Sequence, residues 1–313
     1  MRDIQRRLAA VVPAGAPSDE DGVFGASTRA AVEVFQHHRG LRVDGICGQQ
    51  TWNTLVEAGY RLGDRFLYRR TPMLRGDDVA ELQQRLCSLG FDTGRVDGIF
   101  GDRTARALAD FQGNAGLPVD PIVGGATLRE LIRLESRHDQ PQLVSSVRAR
   151  ALLRDAAPTL TGRHVAVGES GGLGSVTAAL RRRLLPSGTF VTELHHPDDS
   201  TQALQANELG VDVYLGLRLN PTASVCSTSY WSGYRDQSQG GKLLAELVQR
   251  SVPEALGVTD GGSFGMSLPI LRETRMPAVL VEVGPASIVV EGAARLAAAL
   301  SSALGEWVDA SWD

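Results

Sequence analysis

The feature that most constrains the fold of this sequence is a unit that occurs twice in its first half. Asp21-Gly-Val-Phe-Gly25 recurs as Asp97-Gly-Ile-Phe-Gly101, and matching residues follow both copies in one register as far as Leu55 and Leu131. A shared register of this length indicates two copies of a single structural module. The first half of the chain is therefore predicted to fold as a tandem repeat.

Each copy is predicted to form three helices separated by glycine-containing turns. In the second copy, Val79, Leu82 and Leu86 have helical spacing, and Gly90 ends that helix. The first copy begins inside the matching helix, so we expect its leading helix to be truncated. The predicted modules span residues 1–60 and 78–137, and residues 61–77 are expected to form a linker whose basic run is a solvated face.

The composition narrows the classes of function. The chain has 313 residues and a net charge of −4. A negative net charge does not favour binding to nucleic acid or to anionic membranes. Cys47, Cys87 and Cys226 are far apart and form no Cys-x-x-Cys, which argues against a disulfide framework and favours a reducing compartment. The apolar run after Arg6-Arg7 is short for a secretory signal, and no segment is long enough to span a membrane. We therefore expect a cytoplasmic protein.

The second half of the sequence alternates strand and helix patterns. After a second, polar linker at residues 138–160, this alternation predicts an α/β domain at residues 161–313, with a twisted, mostly parallel sheet flanked by helices. Its last predicted strand, Ala278–Val283, is apolar except for Glu282. An unpaired buried carboxylate costs several kcal/mol, so Glu282 should have a partner or lie at a cleft.

The repeat resembles the three-helix peptidoglycan-binding module (type 1), on the strength of its Asp-Gly-x-Phe-Gly turns and its Phe-Gln pairs. In that family the modules bind the peptide stems of the cell wall. The resemblance implies eight candidate binding residues here: Asp21, Phe24, Phe35, Gln36, Asp97, Phe100, Phe111 and Gln112. The alternative is that these residues only build the helical bundle.

The α/β half resembles the zinc-dependent N-acetylmuramoyl-L-alanine amidases (type 3 catalytic domain), because Pro277-Ala-Val-Leu-Val-Glu282 and the order of elements match that family. The resemblance places the general base at Glu282 and two metal-binding histidines at the positions of Ser170 and Arg218. No carboxylate stands where the third ligand is expected. The resemblance therefore implies a domain without a metal or other cofactor, and zinc would be required only if the protein were an enzyme.

The residues also suggest what could replace the metal. An arginine guanidinium carries a positive charge at neutral pH, so Arg218 could pair with Glu282. A relocated zinc site at His195-His196-Pro-Asp198-Asp199 is disfavoured, because adjacent histidines on an extended segment point to opposite sides. That segment is expected to be a solvated loop. Ser170 is not expected to act as a nucleophile, because the resemblance places no histidine beside it.

The combination of two such modules with a ligand-less amidase domain resembles a family of cytoplasmic actinobacterial regulators of peptidoglycan precursor synthesis. That resemblance implies a catalytically inactive scaffold. Its partners would be an enolpyruvyl transferase, the lipid II flippase and a forkhead-associated domain protein, and a muropeptide is a further candidate ligand. Two alternatives stay open: a divergent zinc amidase that cleaves the bond between muramic acid and L-alanine, and a peptidoglycan-binding protein with the α/β domain as a spacer.

Overall fold

The computed structural model describes residues 1–12, 16–135, 159–233 and 236–310. The chain divides into two compact units, a helical unit followed by an α/β unit. The predicted linker at residues 138–160 lies outside the described residues, apart from its last two positions.

Each copy of the repeat forms three helices, as predicted. The first module has α1 (Arg2–Val11), α2 (Ala26–His38) and α3 (Gln49–Glu57), and the second has α4 (Asp77–Ser88), α5 (Asp102–Asn114) and α6 (Gly125–Glu135). Helix α1 has 10 residues and α4 has 12. The leading helix of the first copy is therefore shorter than its counterpart by two residues only, a smaller truncation than the sequence predicted.

In each module, the first and second helices each carry a buried glutamine that holds the turn following that helix. The Gln36 amide nitrogen donates to Asp44 Oδ1 at 2.8 Å, to the Ile46 carbonyl at 3.0 Å and to Thr51 Oγ1 at 3.0 Å. Its amide oxygen accepts from the Gly45 N–H at 2.9 Å. In the described part of the helical unit, a related arrangement occurs at four glutamines, each of which donates to a turn carbonyl and a helix threonine and accepts a turn N–H: Gln5, Gln36, Gln83 and Gln112. The modules are thus built from a smaller helix–turn–helix repeat.

The segment before α4 is more than a solvated linker, which corrects the prediction for residues 61–77. Leu67 and Leu74 are buried in the core of the second module. The Val123 N–H donates to the Leu67 carbonyl at 2.8 Å, and the Phe100 N–H donates to the Leu74 carbonyl at 2.9 Å. Both leucines face the module, between charged residues that face the solvent. The free energy gained by burying the two leucine side chains holds the segment against the module.

The described residues of the α/β unit form one six-stranded sheet in the order β2-β1-β3-β6-β4-β5. The strands are β1 (His164–Glu169), β2 (Phe190–His195), β3 (Val213–Leu219), β4 (Val225–Trp231), β5 (Thr259–Met266) and β6 (Ala278–Val283). All neighbouring strands are parallel except β4 and β6. The predicted mostly parallel sheet is confirmed, although β4 and β5 were not anticipated.

Helices cover both faces of this sheet. They are α7 (Gly174–Leu184), continued by a short 3₁₀ turn, α8 (Asp199–Leu209), α9 (Gln239–Leu256), α10 (Pro269–Glu273), α11 (Ala286–Glu291) and α12 (Ala293–Asp309). One core joins α7, α9 and α12 to side chains such as Val165 and Val281. The other joins α8 and α10 to side chains such as Tyr214 and Leu280. Since side chains alternate along a strand, Arg218 and Glu282 lie on the α8 face, whereas Glu169 and His195 lie on the α7 face.

In the ranges that the structure describes, no helix combines the length and the apolar character required to cross a membrane.

Candidate functional site

The carboxyl ends of three adjacent parallel strands bring together the positions that the sequence singled out. Ser170 follows β1 and is exposed, Arg218 lies near the end of β3, and Glu282 lies near the end of β6. Arg218 and Glu282 are paired in the register of β3 and β6, so their side chains leave the same face. Ligand sites of open α/β sheets are usually found at this edge.

Arg218 forms its ion pair with Asp199, the first residue of α8. Its Nη2 atom donates to both carboxylate oxygens, at 2.9 and 3.1 Å. The two side chains are 28% and 23% exposed, so solvent screens the pair only partly. Among the described residues, Arg218 therefore pairs with Asp199 rather than with Glu282, which corrects the pairing suggested by the sequence. Glu282 accepts a hydrogen bond from the Asn220 side chain at 3.3 Å.

A second polar cluster, missed by the sequence analysis, lies on the opposite face of the sheet. Glu169 is 8% exposed, and its Oε1 atom lies 2.7 Å from Nδ1 of His195. Its other oxygen accepts the N–H groups of Gly171, at 2.7 Å, and Leu173, at 3.1 Å. Burial opposes ionisation of this carboxyl, but the hydrogen bonds from His195, Leu173 and Gly171 outweigh it and lower the pKa of Glu169.

The segment His195 to Asp199 is more than a solvated loop, because its polar side chains have specific partners. Asp198 caps α8 by accepting the Thr201 N–H at 2.7 Å, and Asp199 binds Arg218. His195 binds Glu169, while His196 accepts the N–H of Asp198 at 3.0 Å. The two histidines therefore serve different partners, as their adjacency in an extended segment predicts.

The residues at the carboxyl edge do not fit a catalytic zinc ion. Such an ion needs about three nitrogen, sulfur or carboxylate ligands and an open position. Ser170 and Arg218 stand where the resemblance to the amidases places two metal-binding histidines. The positive charge of the Arg218 guanidinium also repels a cation. Within the described ranges, no three His, Cys, Asp or Glu side chains are close enough together to hold a metal ion.

Most of the candidate peptidoglycan-binding residues lie in the interior or the turns of the helical modules, as expected if they build the bundle. Buried at 0–1% exposure are Phe35, Gln36, Phe100, Phe111 and Gln112. Asp97 accepts a hydrogen bond from Gln83 at 2.9 Å and so belongs to a turn. Only Asp21 and Phe24 of the eight candidates are exposed, and Asp21 pairs with Arg2 at 3.1 Å. A ligand of these modules could contact Phe24 but not the buried pairs.

Phe24 lines a surface pocket of about 510 Å³ in the first module. The pocket is bounded by Met1, Ile4, Ile46 and Cys47 as well. These side chains are apolar or weakly polar, and Arg29 adds a positive charge to the lining.

Comparison with known proteins identifies both halves. A family model described as "Putative peptidoglycan binding domain" matches residues 1–55 and 75–131. The N-acetylmuramoyl-L-alanine amidase CwlM of Mycobacterium tuberculosis is 36% identical over 293 residues, covering 84% of this chain and 72% of that protein. The chain belongs to the CwlM family. Because neither unit alone makes up 84% of the chain, the similarity to CwlM includes both units.

Other relatives match one part of this CwlM family member. A spore cortex-lytic enzyme of Bacillus cereus is 52% identical over 58 residues, or 18% of this chain and 22% of that protein. The crystal structure of the amidase Ami1 from Mycobacterium smegmatis aligns with a TM-score of 0.42 and 15% identity, covering 48% of this chain and 98% of that one. The chain is thus a CwlM-like amidase homologue with a peptidoglycan-binding region.

Proposed function

We propose that this protein is a catalytically inactive amidase homologue that regulates peptidoglycan precursor synthesis in the cytoplasm through protein partners. The partners in this proposal are an enolpyruvyl transferase, the lipid II flippase and a forkhead-associated domain protein. The free thiols of Cys47, Cys87 and Cys226 are compatible with a reducing compartment.

The observation that carries the proposal is the ion pair between Arg218 and Asp199. It places a permanent positive charge at the carboxyl edge of the sheet and uses the nearest carboxylate of α8 to hold it there. Zinc hydrolases need the opposite arrangement, in which anionic or neutral donors surround a cation that activates water. Glu282, at the position of the general base, would then have no metal-bound water to deprotonate.

The competing function is a divergent zinc amidase, and it is favoured by the amidase name of the relative from Mycobacterium tuberculosis. The zinc content of the purified protein distinguishes the inactive regulator from the zinc amidase. The purified protein would be dialysed against a slight excess of zinc, freed of unbound metal and analysed by elemental mass spectrometry. Hydrolysis of muropeptides would be followed on the same sample by chromatography.

We expect well under one tenth of a zinc ion per chain and no release of peptide from muropeptides. Near-stoichiometric zinc, with hydrolysis that Glu282→Ala abolishes, would replace the proposal with the amidase function. Glu306→Ala is the matched control for the loss of a carboxylate, because Glu306 forms an exposed ion pair with Arg250 in the same unit. Tight binding of muropeptides without affinity for any of the three partners would instead favour a peptidoglycan-binding protein with the α/β unit as a spacer.

A further inference from the structure

The two helical modules belong to one compact unit but keep separate apolar cores. The core of the first module contains Phe35 and Leu55, and the core of the second contains Leu82 and Phe111. In the part of the chain that the structure describes, no buried apolar cluster takes side chains from both modules. Without a large apolar interface, two packed bodies are expected to move relative to each other unless polar contacts hold them.

One ion pair joins the end of a helix in the first module to the start of a helix in the second. Arg39 directly follows α2, and Asp77 is the first residue of α4. The Nη1 and Nη2 atoms of Arg39 donate to the two carboxylate oxygens of Asp77, both at 2.8 Å. The Arg39 guanidinium also lies 5.7 Å from the centre of the Phe35 ring, in the first module. A bidentate pair of this kind restricts orientation as well as distance.

A second group of polar contacts holds the chain between the modules. Arg65 donates to both carboxylate oxygens of Asp78, at 2.7 and 3.1 Å. Its guanidinium lies 3.7 Å from the centre of the Tyr60 ring, just after α3. A Cβ atom at Gly76 would lie 3.3 Å from the Glu57 carbonyl oxygen, so the end of α3 and the start of α4 come close together here.

The two ion pairs differ in their exposure to solvent. The side chain of Asp78 is 1% exposed, whereas the side chains of Arg39 and Asp77 are 15% and 31% exposed. Ions in solution therefore reach the Arg39–Asp77 pair more easily than the Arg65–Asp78 pair. The helix termini favour the more exposed pair, because Arg39 lies at the negative end of α2 and Asp77 at the positive end of α4.

We propose that these contacts form a conformational lock, which holds the two modules as one rigid body and opens at high salt through loss of the Arg39–Asp77 pair. The closed lock presents both modules to another molecule in a single geometry. Opening it allows the modules to turn relative to each other, and this freedom would have to be lost again on binding a partner that contacts both. The proposal goes beyond the proposed function, because it holds whether or not the α/β unit is catalytic.

The test measures the distance between the two modules in the full chain. Nitroxide labels are attached through Ala30→Cys in α2 and Arg106→Cys in α5, two exposed positions that are equivalent in the repeat. Cys47→Ser removes the partly exposed native thiol, whereas Cys87 and Cys226 are buried. Pulsed electron paramagnetic resonance then gives the distribution of distances between the labels.

The test variant is Asp77→Asn, which keeps the size of the side chain and removes its charge. Its matched control is Asp102→Asn, because Asp102 is the first residue of α5 and pairs with Arg69 at 2.6 Å inside the second module. Arg39→Gln removes the other partner of the lock, and the double variant of Arg39→Gln with Asp77→Asn completes a cycle. Near-ultraviolet circular dichroism shows whether each variant keeps its tertiary structure.

We expect one narrow distance peak for the labelled chain, and a distribution at least about twice as wide for Asp77→Asn and for Arg39→Gln. The double variant should be no wider than either single variant, since both substitutions remove the same pair. Asp102→Asn should keep the narrow peak. In about 1 M sodium chloride, where the Debye length is about 3 Å, the distribution of the unsubstituted lock should also widen.

Three results would overturn the proposal. The first is a peak as narrow for folded Asp77→Asn as for the unsubstituted lock. The second is equal widening by Asp102→Asn, which would assign the effect to the charge at a helix terminus and not to the junction. The third is a distribution that high salt leaves unchanged, which would mean that the Arg39–Asp77 pair does not open.

Discussion

A guanidinium at position 218 changes what the carboxyl edge of the sheet can bind, and it also leaves Asp199 dependent on a single partner. Replacing Arg218 by Ala would leave the Asp199 carboxylate half-buried beside an empty space. We therefore expect Arg218→Ala to lower the free energy of unfolding of the α/β unit by about 1–3 kcal/mol. Urea denaturation followed by near-ultraviolet circular dichroism measures this loss.

Arg250→Ala is the control for Arg218→Ala, because Arg250 and Glu306 are 65% and 49% exposed. An exposed pair of this kind contributes little, so the control should change the free energy of unfolding by less than about 0.5 kcal/mol. In the double variant with Asp199→Ala, the loss caused by Arg218→Ala should shrink, since the unpaired carboxylate is gone. Equal effects for Arg218→Ala and Arg250→Ala would refute the importance of the pair.

The buried carboxylate of Glu169 should make the stability of the α/β unit depend on pH. Its pKa is lower in the folded protein than in the unfolded chain, so its contribution is present above the unfolded pKa and is lost as the pH falls through the folded pKa. In Glu169→Gln this part of the acid-induced loss should be missing. The measurement is the melting temperature of both proteins between pH 7 and pH 3. Parallel curves for both proteins would show that Glu169 does not contribute.

At the residue scale, the sequence predicted which residues lie at the candidate site, but not which side chains they bind. Ser170, Arg218 and Glu282 could be assigned to one site because the resemblance to the zinc amidases gives all three a place in that family's active site. The pairs Arg218–Asp199 and Glu169–His195 could not be predicted, since they depend on how β2 and α8 approach the strands beside them. The burial of Phe100 depends on the segment before α4, whose Leu74 carbonyl accepts the Phe100 N–H.

At the scale of elements, β1 and β3 can pack against α8 only because residue 168 has no side chain. A Cβ atom at Gly168 would lie 2.0 Å from the Tyr214 hydroxyl and 2.2 Å from Gln202 Oε1. These two groups hydrogen-bond each other at 2.7 Å, and Gln202 Nε2 binds the Glu169 carbonyl at 3.2 Å. We therefore expect Gly168→Ala to destabilise the α/β unit by about 2–4 kcal/mol. Thermal denaturation of the purified variant tests this.

Gly174→Ala provides the matched control for Gly168→Ala. Gly174 begins α7, and a Cβ atom there would meet nothing within 4 Å. Alanine reduces the freedom of the unfolded chain, so the control should gain about 0.5 kcal/mol. If Gly168→Ala melted at the wild-type temperature, the contact between β1, Tyr214 and Gln202 would have to be looser than the structure indicates.

Helices and strands with a clear pattern of apolar residues could be predicted from the sequence, and those without such a pattern could not. The apolar runs of β3 and β6 and the helical spacing of α4 carry their own signals. Strand β5, with the sequence TDGGSFGM, contains three glycines, which are depleted in strands. Its place in the sheet comes from pairing with β4, which the local sequence does not reveal. The same applies to Leu67 and Leu74, whose basic neighbours concealed a buried segment.

At the scale of the whole molecule, the tandem repeat and the α/β unit give two different ways to act on another molecule. The helical unit has a surface pocket lined by Phe24, and the α/β unit has a sheet edge where Arg218 pairs with Asp199. If the protein works through binding, then the position of the general base should be dispensable. Catalysis by a zinc amidase requires that base, and its loss typically costs 10²–10⁴-fold in rate.

Glu282→Gln tests this in the organism that carries the chain, after depletion of the wild-type protein. The substitution keeps the size of the side chain and its capacity to accept the hydrogen bond from Asn220. We expect the variant to be present at the wild-type level and to support growth and precursor synthesis as the wild type does. Phe35→Asp, which places a charge in the core of the first module, is the control for a lost module and should fail. Loss of growth with Glu282→Gln at a normal protein level would mean that the carboxylate acts chemically, and the regulator proposal would then give way to catalysis.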